Sequence, residues 1–452
     1  MTKSLKNLWA RFLFLDRGIL PSRKLLIIYS LLSLGLIALS FTDISWVYLI
    51  SVNVLFILAS FLDLLFTPKR KDINVSRHID DELERGLEYE VTIKLNNRSV
   101  YPCTFRVIDD LPQTFTNTFP VYGAAEAEST SKVIYHTTAP IRGKYDLKKI
   151  YIRYASKLGL WERQMATHTN ETIKVIPDLT ETRQYLKDAQ AFLLDEGMKI
   201  RKHQSGTGEF AQIRNYVVGD DPRMINWRQT AKLQEVMTNQ YEPEHGKHIT
   251  ILIDCGRMMG VELDEGSRLE KTIEASITVA AAALKNGDYV GVLAFSSDIK
   301  VYVPPEKGMD HLQRILQSVY HLQADAKESN YAGVMGYLQT VQKKRSLILL
   351  FSDIQTFLHE ESTLHYIKRL RQKHLFLMIG IEDEELIKET NVKPENVQLA
   401  MSKSIAQQQI QIKKRRKAKW QAQGLIMIEA KEDKLATIAV SRVIHWMNQG
   451  LL

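Results

Sequence analysis

Two aspartates, Asp254 and Asp353, stand at positions where a cation site is expected. Each ends an apolar run with the length of a buried strand (248–254 and 346–353). In an open parallel sheet, ligands bind beyond the carboxyl ends of the strands, so both carboxylates would face one site. Carboxylate oxygens are preferred ligands of Mg²⁺. The pair therefore favours a cation site or a metal-assisted hydrolase, although the sequence offers neither a general base nor a nucleophile for hydrolysis.

A dense group of charged and aromatic residues precedes these strands. Seven charged or aromatic residues, with one glycine and one asparagine, fall within fifteen positions: Arg214, Tyr216, Gly219, Asp220, Asp221, Arg223, Asn226, Trp227 and Arg228. The Gly-Asp-Asp-Pro stretch is a turn signal, and a helix is predicted over 224–234. Carboxylates beside arginines could hold an anion or a phosphate. We favour the alternative, an Arg–Asp network with Trp227 as an aromatic anchor between domains, because no nucleophile or metal-ligand set lies nearby.

A segment without acidic residues covers 402–423. It contains a run of basic residues: Lys413, Lys414, Arg415, Arg416, Lys417 and Lys419. We predict an exposed helix or loop with three functions open: contact with an anionic membrane leaflet, electrostatic binding of nucleic acid, or a solvated face. No nucleic-acid-binding fold signature accompanies the run, so we expect no nucleic-acid partner.

The composition is that of a globular protein of several domains. The chain has 452 residues, 60 Lys and Arg, 52 Asp and Glu, and a formal net charge of +8. Two cysteines, Cys103 and Cys255, are too few for a disulfide framework or a cysteine-based zinc site. No Cys/His arrangement accompanies Cys255, so we expect a small, half-buried residue at a strand end.

Two uncharged apolar stretches near the N-terminus, 25–42 and 44–62, predict membrane spans. Each is about 27–29 Å long as a helix, close to the hydrocarbon thickness of a bilayer. Only Asp43 separates them, so they would form a tight hairpin. Basic residues flank both outer ends and none lies between the spans, which places both termini and everything from Pro68 onward in the cytoplasm. The segment 8–20 mixes aromatic and basic residues, as an interfacial amphipathic helix would.

The hydrophobic pattern of the remaining chain differs between two regions, 72–178 and the part from residue 248 onward. Residues 72–178 alternate with a period of two between turn signals, which predicts an antiparallel β-sandwich that serves as a spacer or interaction module. From residue 248, continuous apolar strands alternate with helical stretches. That order indicates an α/β, Rossmann-like domain whose parallel sheet is covered on both faces.

The whole chain resembles the family catalogued as domain of unknown function number 58. The resemblance is carried by Arg214-x-Tyr216-x-x-Gly219-Asp220-x-x-Arg223-x-Ile225-x-Trp227, by the Arg142-Gly143-x-Tyr145 turn and by Lys157-Leu158-Gly159-Leu160. It implies a bacterial protein with a membrane hairpin, a β-sandwich and a von Willebrand factor A-like domain, acting with a MoxR-type AAA+ ATPase. On this basis we divide the chain into a membrane anchor (1–67), a β-sandwich (68–180), a linker with the motif (181–246) and the von Willebrand A-like domain (247–452).

The resemblance also implies where a metal would bind. A von Willebrand A domain usually carries Asp-x-Ser-x-Ser after its first strand, and here Asp254-Cys255-Gly256-Arg257-Met258 lacks both serines. Ser329 and Asp353 are the best matches to the second and third motifs. A thioether is a poor ligand for Mg²⁺. We therefore expect Mg²⁺ binding to be weak or absent, and no other cofactor.

The expected function is that of a non-enzymatic adaptor in the inner (cytoplasmic) membrane, with its soluble domains in the cytoplasm. The face around Asp254, Ser329 and Asp353 would present the binding site for the ATPase or a client protein. The hydrolase and the nucleic-acid binder remain as alternatives.

Overall fold

The computed structural model describes residues 17–41, 44–195, 209–242 and 246–448. The chain divides between Ile176 and Pro177 into two compact units. The first contains two apolar helices and two sheets, and the second is built on one large sheet with helices around it.

The first unit begins with a short strand and two apolar helices. Their bounds are β1 Arg17–Pro21, α1 Arg23–Leu39 and α2 Trp46–Ser60. Helical structure continues from α2 through 3-10 turns, and Trp46–Asp72 is the one described helix long and apolar enough to cross a membrane. After Arg23 and Lys24, α1 carries no charge and is apolar apart from two serines, and most of its residues are exposed. The predicted turn at Asp43 lies outside the described residues, as does most of the predicted interfacial helix.

The end of that predicted interfacial helix is a strand instead. Residues 17–21 form β1, which pairs antiparallel with 161–165. The reason is that backbone hydrogen bonds to a distant strand decide its conformation, and the amphipathic composition of 8–20 does not contain that information.

Two sheets make up the rest of the first unit. The strands are β2 Ile73–His78, β3 Glu82–Glu84, β4 Glu88–Asn97, β5 Cys103–Asp109, β6 Val121–Ala125, β7 Ser129–Thr138, β8 Gly143–Ala155 and β9 Trp161–Ile176. One sheet has the order β1-β9-β8-β5-β6 with β3 beside β9, and the other has the order β2-β4-β7. Alternate side chains from both, such as Val91 and Phe105, share one hydrophobic core. The predicted period-two strands are confirmed in this region.

The turn before β9 binds the C-terminal end of the apolar helix that continues from α2. Asp63, only 2% exposed, accepts hydrogen bonds from the backbone N–H groups of Leu160 (2.8 Å) and Trp161 (3.1 Å) and from the Ser156 hydroxyl. Gly159 has φ +68°, a conformation that favours glycine. The Lys-Leu-Gly-Leu turn therefore seats a buried carboxylate at the end of the apolar helix.

The second unit is centred on a six-stranded sheet. Its order is β16-β15-β12-β17-β18-β19, with five parallel strands and an antiparallel edge, β16. The bounds are β12 His248–Asp254, β15 Tyr289–Phe295, β16 Ile299–Glu306, β17 Ser346–Phe351, β18 Leu375–Ile381 and β19 Ile426–Ala430. All six residues of β17 are buried, as expected for a strand covered on both faces.

Helices pack around this sheet. They are α3 Thr180–Asp195, α4 Trp227–Leu233, α5 Arg268–Lys285, α6 Met309–Val319, α7 Tyr331–Val341, α8 Ile354–Phe357, α9 Glu361–Arg371, α10 Glu384–Asn391, α11 Val397–Ala422 and α12 Leu435–Asn448. Ser267 caps α5 and Asn330 caps α7 through side-chain hydrogen bonds to backbone N–H groups. Two short hairpins complete the unit: β10 Glu209–Asn215 with β11 Met237–Glu242, and β13 Glu262–Leu263 with β14 Gly266–Ser267.

Candidate functional site

Asp254 lies at the carboxyl end of β12 and is 2% exposed. Its Oδ1 accepts hydrogen bonds from the Ser329 hydroxyl and from the Gly256 backbone N–H (2.8 Å). Its Oδ2 accepts from the Tyr331 hydroxyl (2.8 Å) and from the Ser352 hydroxyl (2.5 Å). Both oxygens are therefore engaged by donors of the protein itself.

Burial dominates the electrostatics of this cluster. It raises the pKa of the Asp254 carboxyl, although the four hydrogen bonds favour the ionised form and oppose that rise. Burial also raises the pKa of the Tyr331 hydroxyl, and the neighbouring Asp254 charge raises it further. Tyr331 is consequently a hydrogen-bond donor at neutral pH and not an anion.

Asp353, at the end of β17, has a different set of partners. Its Oδ1 accepts from the guanidinium of Arg268 at 2.8 Å, and its Oδ2 accepts from the backbone N–H (2.8 Å) and the hydroxyl (2.7 Å) of Thr356. Arg268 also reaches Asp383 at 3.4 Å. The side chains of Arg268 and Asp353 are only 7% and 8% exposed. A buried guanidinium thus supplies the positive charge that this carboxylate requires.

These residues do not fit a Mg²⁺ site of the adhesion type. A Cβ on Gly256 would lie 2.0 Å from the Ser329 hydroxyl oxygen, so a serine at 256 cannot coexist with the present Ser329–Asp254 hydrogen bond. Asp353 is already neutralised by Arg268. Within the described ranges, no group of three or more His, Cys, Asp or Glu side chains could hold a metal ion. The structure brings Asp254 and Ser329 together with Ser352, the residue before Asp353. These side chains form a hydrogen-bonded cluster and not a metal site.

The Arg-Asp motif forms the turn between β10 and α4. Arg214 pairs with Asp220 at 2.7 Å, and the Tyr216 hydroxyl donates to the Asp220 backbone carbonyl at 3.1 Å. Gly219 takes φ +110°, which permits the turn. Trp227 is 69% exposed, and its role as an aromatic anchor between domains stays a prediction. Arg223 is exposed as well.

The basic run lies on α11, and the structure divides its members into two groups. Lys413 and Lys417 turn toward the sheet and both pair with Glu429 on β19. Arg416 contacts the His359 ring. Lys414, Arg415 and Lys419 are exposed on the outer side. Part of the predicted solvated charge therefore holds the helix to the domain.

Arg268, Tyr331 and Ser352 were not singled out by sequence reasoning. Ser352 and Tyr331 carried a usable signal, since each lies within two residues of a predicted site residue. Arg268 had none, because it is 85 residues from Asp353 and meets it only when α5 packs against the sheet.

Comparison with known proteins follows the same regions. Residues 212–424 match the family model described as "Protein of unknown function DUF58". The uncharacterized protein YeaD of Bacillus subtilis (strain 168) is 23% identical over 273 residues, which cover 58% of this chain and 66% of that protein. Among solved structures, the conserved hypothetical protein BatB of Bacteroides thetaiotaomicron is similar at 15% identity over 45% of this chain and 100% of its own (TM-score 0.31). The ASH/PapD-like domain of human CEP192 is similar at 11% identity over 23% of this chain and 85% of its own (TM-score 0.18). Over residues 212–424, this chain is therefore similar to the DUF58 family of proteins of unknown function.

Proposed function

We propose that this protein is a membrane-anchored, non-enzymatic adaptor whose von Willebrand A-like domain binds a MoxR-type AAA+ ATPase or a client protein. The observation that carries the proposal is the saturation of the two strand-end acids by the protein's own donors. Asp254 receives four hydrogen bonds, and Asp353 is paired with a buried arginine. Such an arrangement makes a rigid, preorganised face.

The same observation favours the adaptor over a metal-assisted hydrolase. A catalytic carboxylate needs an oxygen free for a proton, a substrate or a cation. The oxygens of both acids are engaged, and the Arg268 guanidinium competes with any cation for Asp353. The choice of an AAA+ ATPase as partner is supported by the family resemblance.

The membrane anchor is supported by the two apolar helices. Helix 46–72 is long enough to span, and the side chains of α1 also expose apolar surface, such as Leu31 (67%) and Leu34 (69%). Exposed apolar surface of this extent is unfavourable in water and marks a membrane or partner contact. We propose two spans in the cytoplasmic membrane, with the flanking basic residues and everything from Pro68 onward in the cytoplasm. The β-sandwich would then act as the spacer.

An exposed apolar surface on the Arg-Asp motif (residues 214–228) offers a contact for the partner. Val217 is 60% exposed, Val218 is 97% exposed and Trp227 is 69% exposed. Aromatic side chains that are exposed in the free protein are common centres of binding energy at interfaces. The Arg214–Asp220 pair and Gly219 fix the turn that carries the two valines.

Crosslinking in intact membranes followed by purification of the tagged full-length protein tests the proposal. We expect an AAA+ ATPase among the captured proteins and a lower yield from Trp227→Ala. Tyr122→Ala is the matched control, because Tyr122 is an equally exposed aromatic (70%) in the first unit. Recovery of no protein partner, or equal loss from both variants, would contradict the proposal.

Membrane anchorage is tested separately by alkaline extraction of the membrane fraction. An integral protein stays with the bilayer, whereas release into the supernatant would contradict the two spans without bearing on the partner.

A further inference from the structure

The outward face of α11 carries an apolar stripe that one exposed polar residue, Gln408, interrupts. Val397, Met401, Ile405 and Ile412 are 77%, 61%, 53% and 41% exposed. Their spacings of four, four and seven residues place them on one side of the helix. Continuing the same spacing by three and seven residues leads to Arg415 and Lys419, both exposed. The face therefore runs from an apolar half into a basic half over about 33 Å.

The opposite face of α11 is committed to the domain. Ala406 and Trp420 are buried, and Lys413 and Lys417 pair with Glu429. Averaged around its whole circumference the helix is not amphipathic, because apolar side chains occupy both its packed and its outward faces. The orientation of the helix is thus fixed by packing, and the outward stripe is presented as a fixed surface.

We propose that the outward face of α11 docks on an anionic lipid bilayer. Apolar side chains that enter the interface next to basic side chains that meet lipid headgroups are the composition of a membrane-surface helix. The 26 residues of α11 contain no acidic side chain, so no part of the helix itself repels the surface. A nucleic acid would complement the basic half and leave the apolar half unused, which is why the lipid surface is the better match.

Charged residues on α10 and α11 indicate which end of the outward face contacts the bilayer. The adjacent α10 carries exposed Glu385 and Glu389, which oppose binding near the N-terminal end of the stripe. The exposed basic residues at the other end, Lys414 and Arg415 with Lys419, supply the attraction to headgroups. The docking rests on the proposed membrane anchorage in one respect only: the anchor keeps a high local concentration of bilayer near α11.

An environment-sensitive dye can report the docking directly. The full-length protein carries Ile412→Cys, on the stripe beside the exposed basic residues, labelled with a nitrobenzoxadiazole dye, and both native thiols are buried. It is reconstituted in nanodiscs of phosphatidylcholine, alone or mixed with phosphatidylglycerol, that contain a nitroxide-bearing lipid. The reference site is Gln313→Cys on α6, an exposed position on another helix of the same unit. We expect quenching at 412 in anionic discs only, and none at 313.

A charge variant tests the basic half. Lys414→Gln/Arg415→Gln should lower the ratio of docked to free helix about tenfold or more. The matched control, Lys343→Gln/Lys368→Gln, removes two exposed charges from the same unit and should leave the ratio unchanged.

Other outcomes would overturn the docking. Equal quenching in neutral and anionic discs, or no quenching in either, contradicts it. A dye response to duplex RNA in neutral discs that exceeds the response to anionic lipid would reassign the face to nucleic acid. If the protein fails to insert into discs but its dye is quenched by added anionic vesicles, the anchorage fails and the docking stands.

Discussion

Removing the Arg268 guanidinium should cost far more stability than removing an exposed guanidinium with the same geometry. Arg268→Gln leaves the Asp353 carboxylate buried without a counter-charge, and breaking one partner of a buried pair typically costs about 3–5 kcal/mol. Arg257→Gln is the matched control. It breaks an Arg–Glu pair of 2.9 Å, against 2.8 Å for Arg268, but its side chains are 61% and 65% exposed. Exposed pairs contribute less than about 1 kcal/mol.

Hydrogen exchange in the buried strand Ser346–Phe351 measures this difference in the full-length protein. A loss of about 3–5 kcal/mol accelerates exchange through unfolding by roughly two to four powers of ten, since each 1.4 kcal/mol is a factor of ten. Arg268→Gln/Asp353→Asn should recover much of the loss, because no uncompensated charge remains. Equal exchange in Arg268→Gln and Arg257→Gln would refute the reasoning.

Arg268→Gln also tests whether Asp353 can bind a cation once its arginine partner is removed. With Arg268 removed, Asp353 regains an oxygen and a need for positive charge, so millimolar Mg²⁺ should slow exchange in Arg268→Gln but not in the unmodified protein. Binding adds stability in proportion to the logarithm of the cation concentration. Slower exchange of the unmodified protein in Mg²⁺ would show that the present cluster binds the cation.

Three further outcomes follow from the geometry. Gly256→Ala should displace the Ser329 hydroxyl from Asp254 and cost about 1–3 kcal/mol of stability. Added to Ser329→Ala it should cost less in hydrogen exchange, because only the 3.2 Å contacts with the Cβ of residue 329 and with Asp254 Oδ1 remain. Burial by itself raises the pKa of the Glu429 carboxyl, but its two lysine partners outweigh burial and the net pKa is lowered. The stability from this group is therefore present above its ordinary pKa of 4.5 and is lost as pH falls below that value, and Glu429→Gln should flatten the acid limb of a pH–stability curve. Burial raises the pKa of the Cys103 thiol to about 11, so maleimide should label it at neutral pH only after denaturation, as mass spectrometry can count.

The continuity of apolar residues was sufficient to predict the strands of the six-stranded sheet in the second unit, but not its two short hairpins. Runs such as 248–254 and 346–353 are largely apolar because both faces of the sheet are covered. The observed β12 coincides with the first run, and β17 covers the second up to Phe351, two residues before Asp353. The position of Asp254 and Asp353 at strand ends follows from the same pattern. The apolar pattern of a segment was enough to predict a strand wherever that segment is buried on both faces.

The partners of those residues could not be predicted in the same way. Arg268 reaches Asp353 through helix packing, and Ser156 reaches Asp63 across 93 residues of chain. Strand β1 likewise depends on pairing with β9 and not on its own sequence. Contacts between elements that are distant in sequence leave no periodic signal in either element.

We propose above all that the face around Asp254, Ser329 and Asp353, at the carboxyl ends of β12 and β17, binds a protein partner. A photo-crosslinking amino acid at Lys327, exposed two residues before Ser329, should capture an AAA+ ATPase in living cells. The same group at Lys343, exposed just before β17 at the opposite end of the sheet, should capture little or none. Equal capture at both positions, or no adduct at Lys327, would contradict the claim.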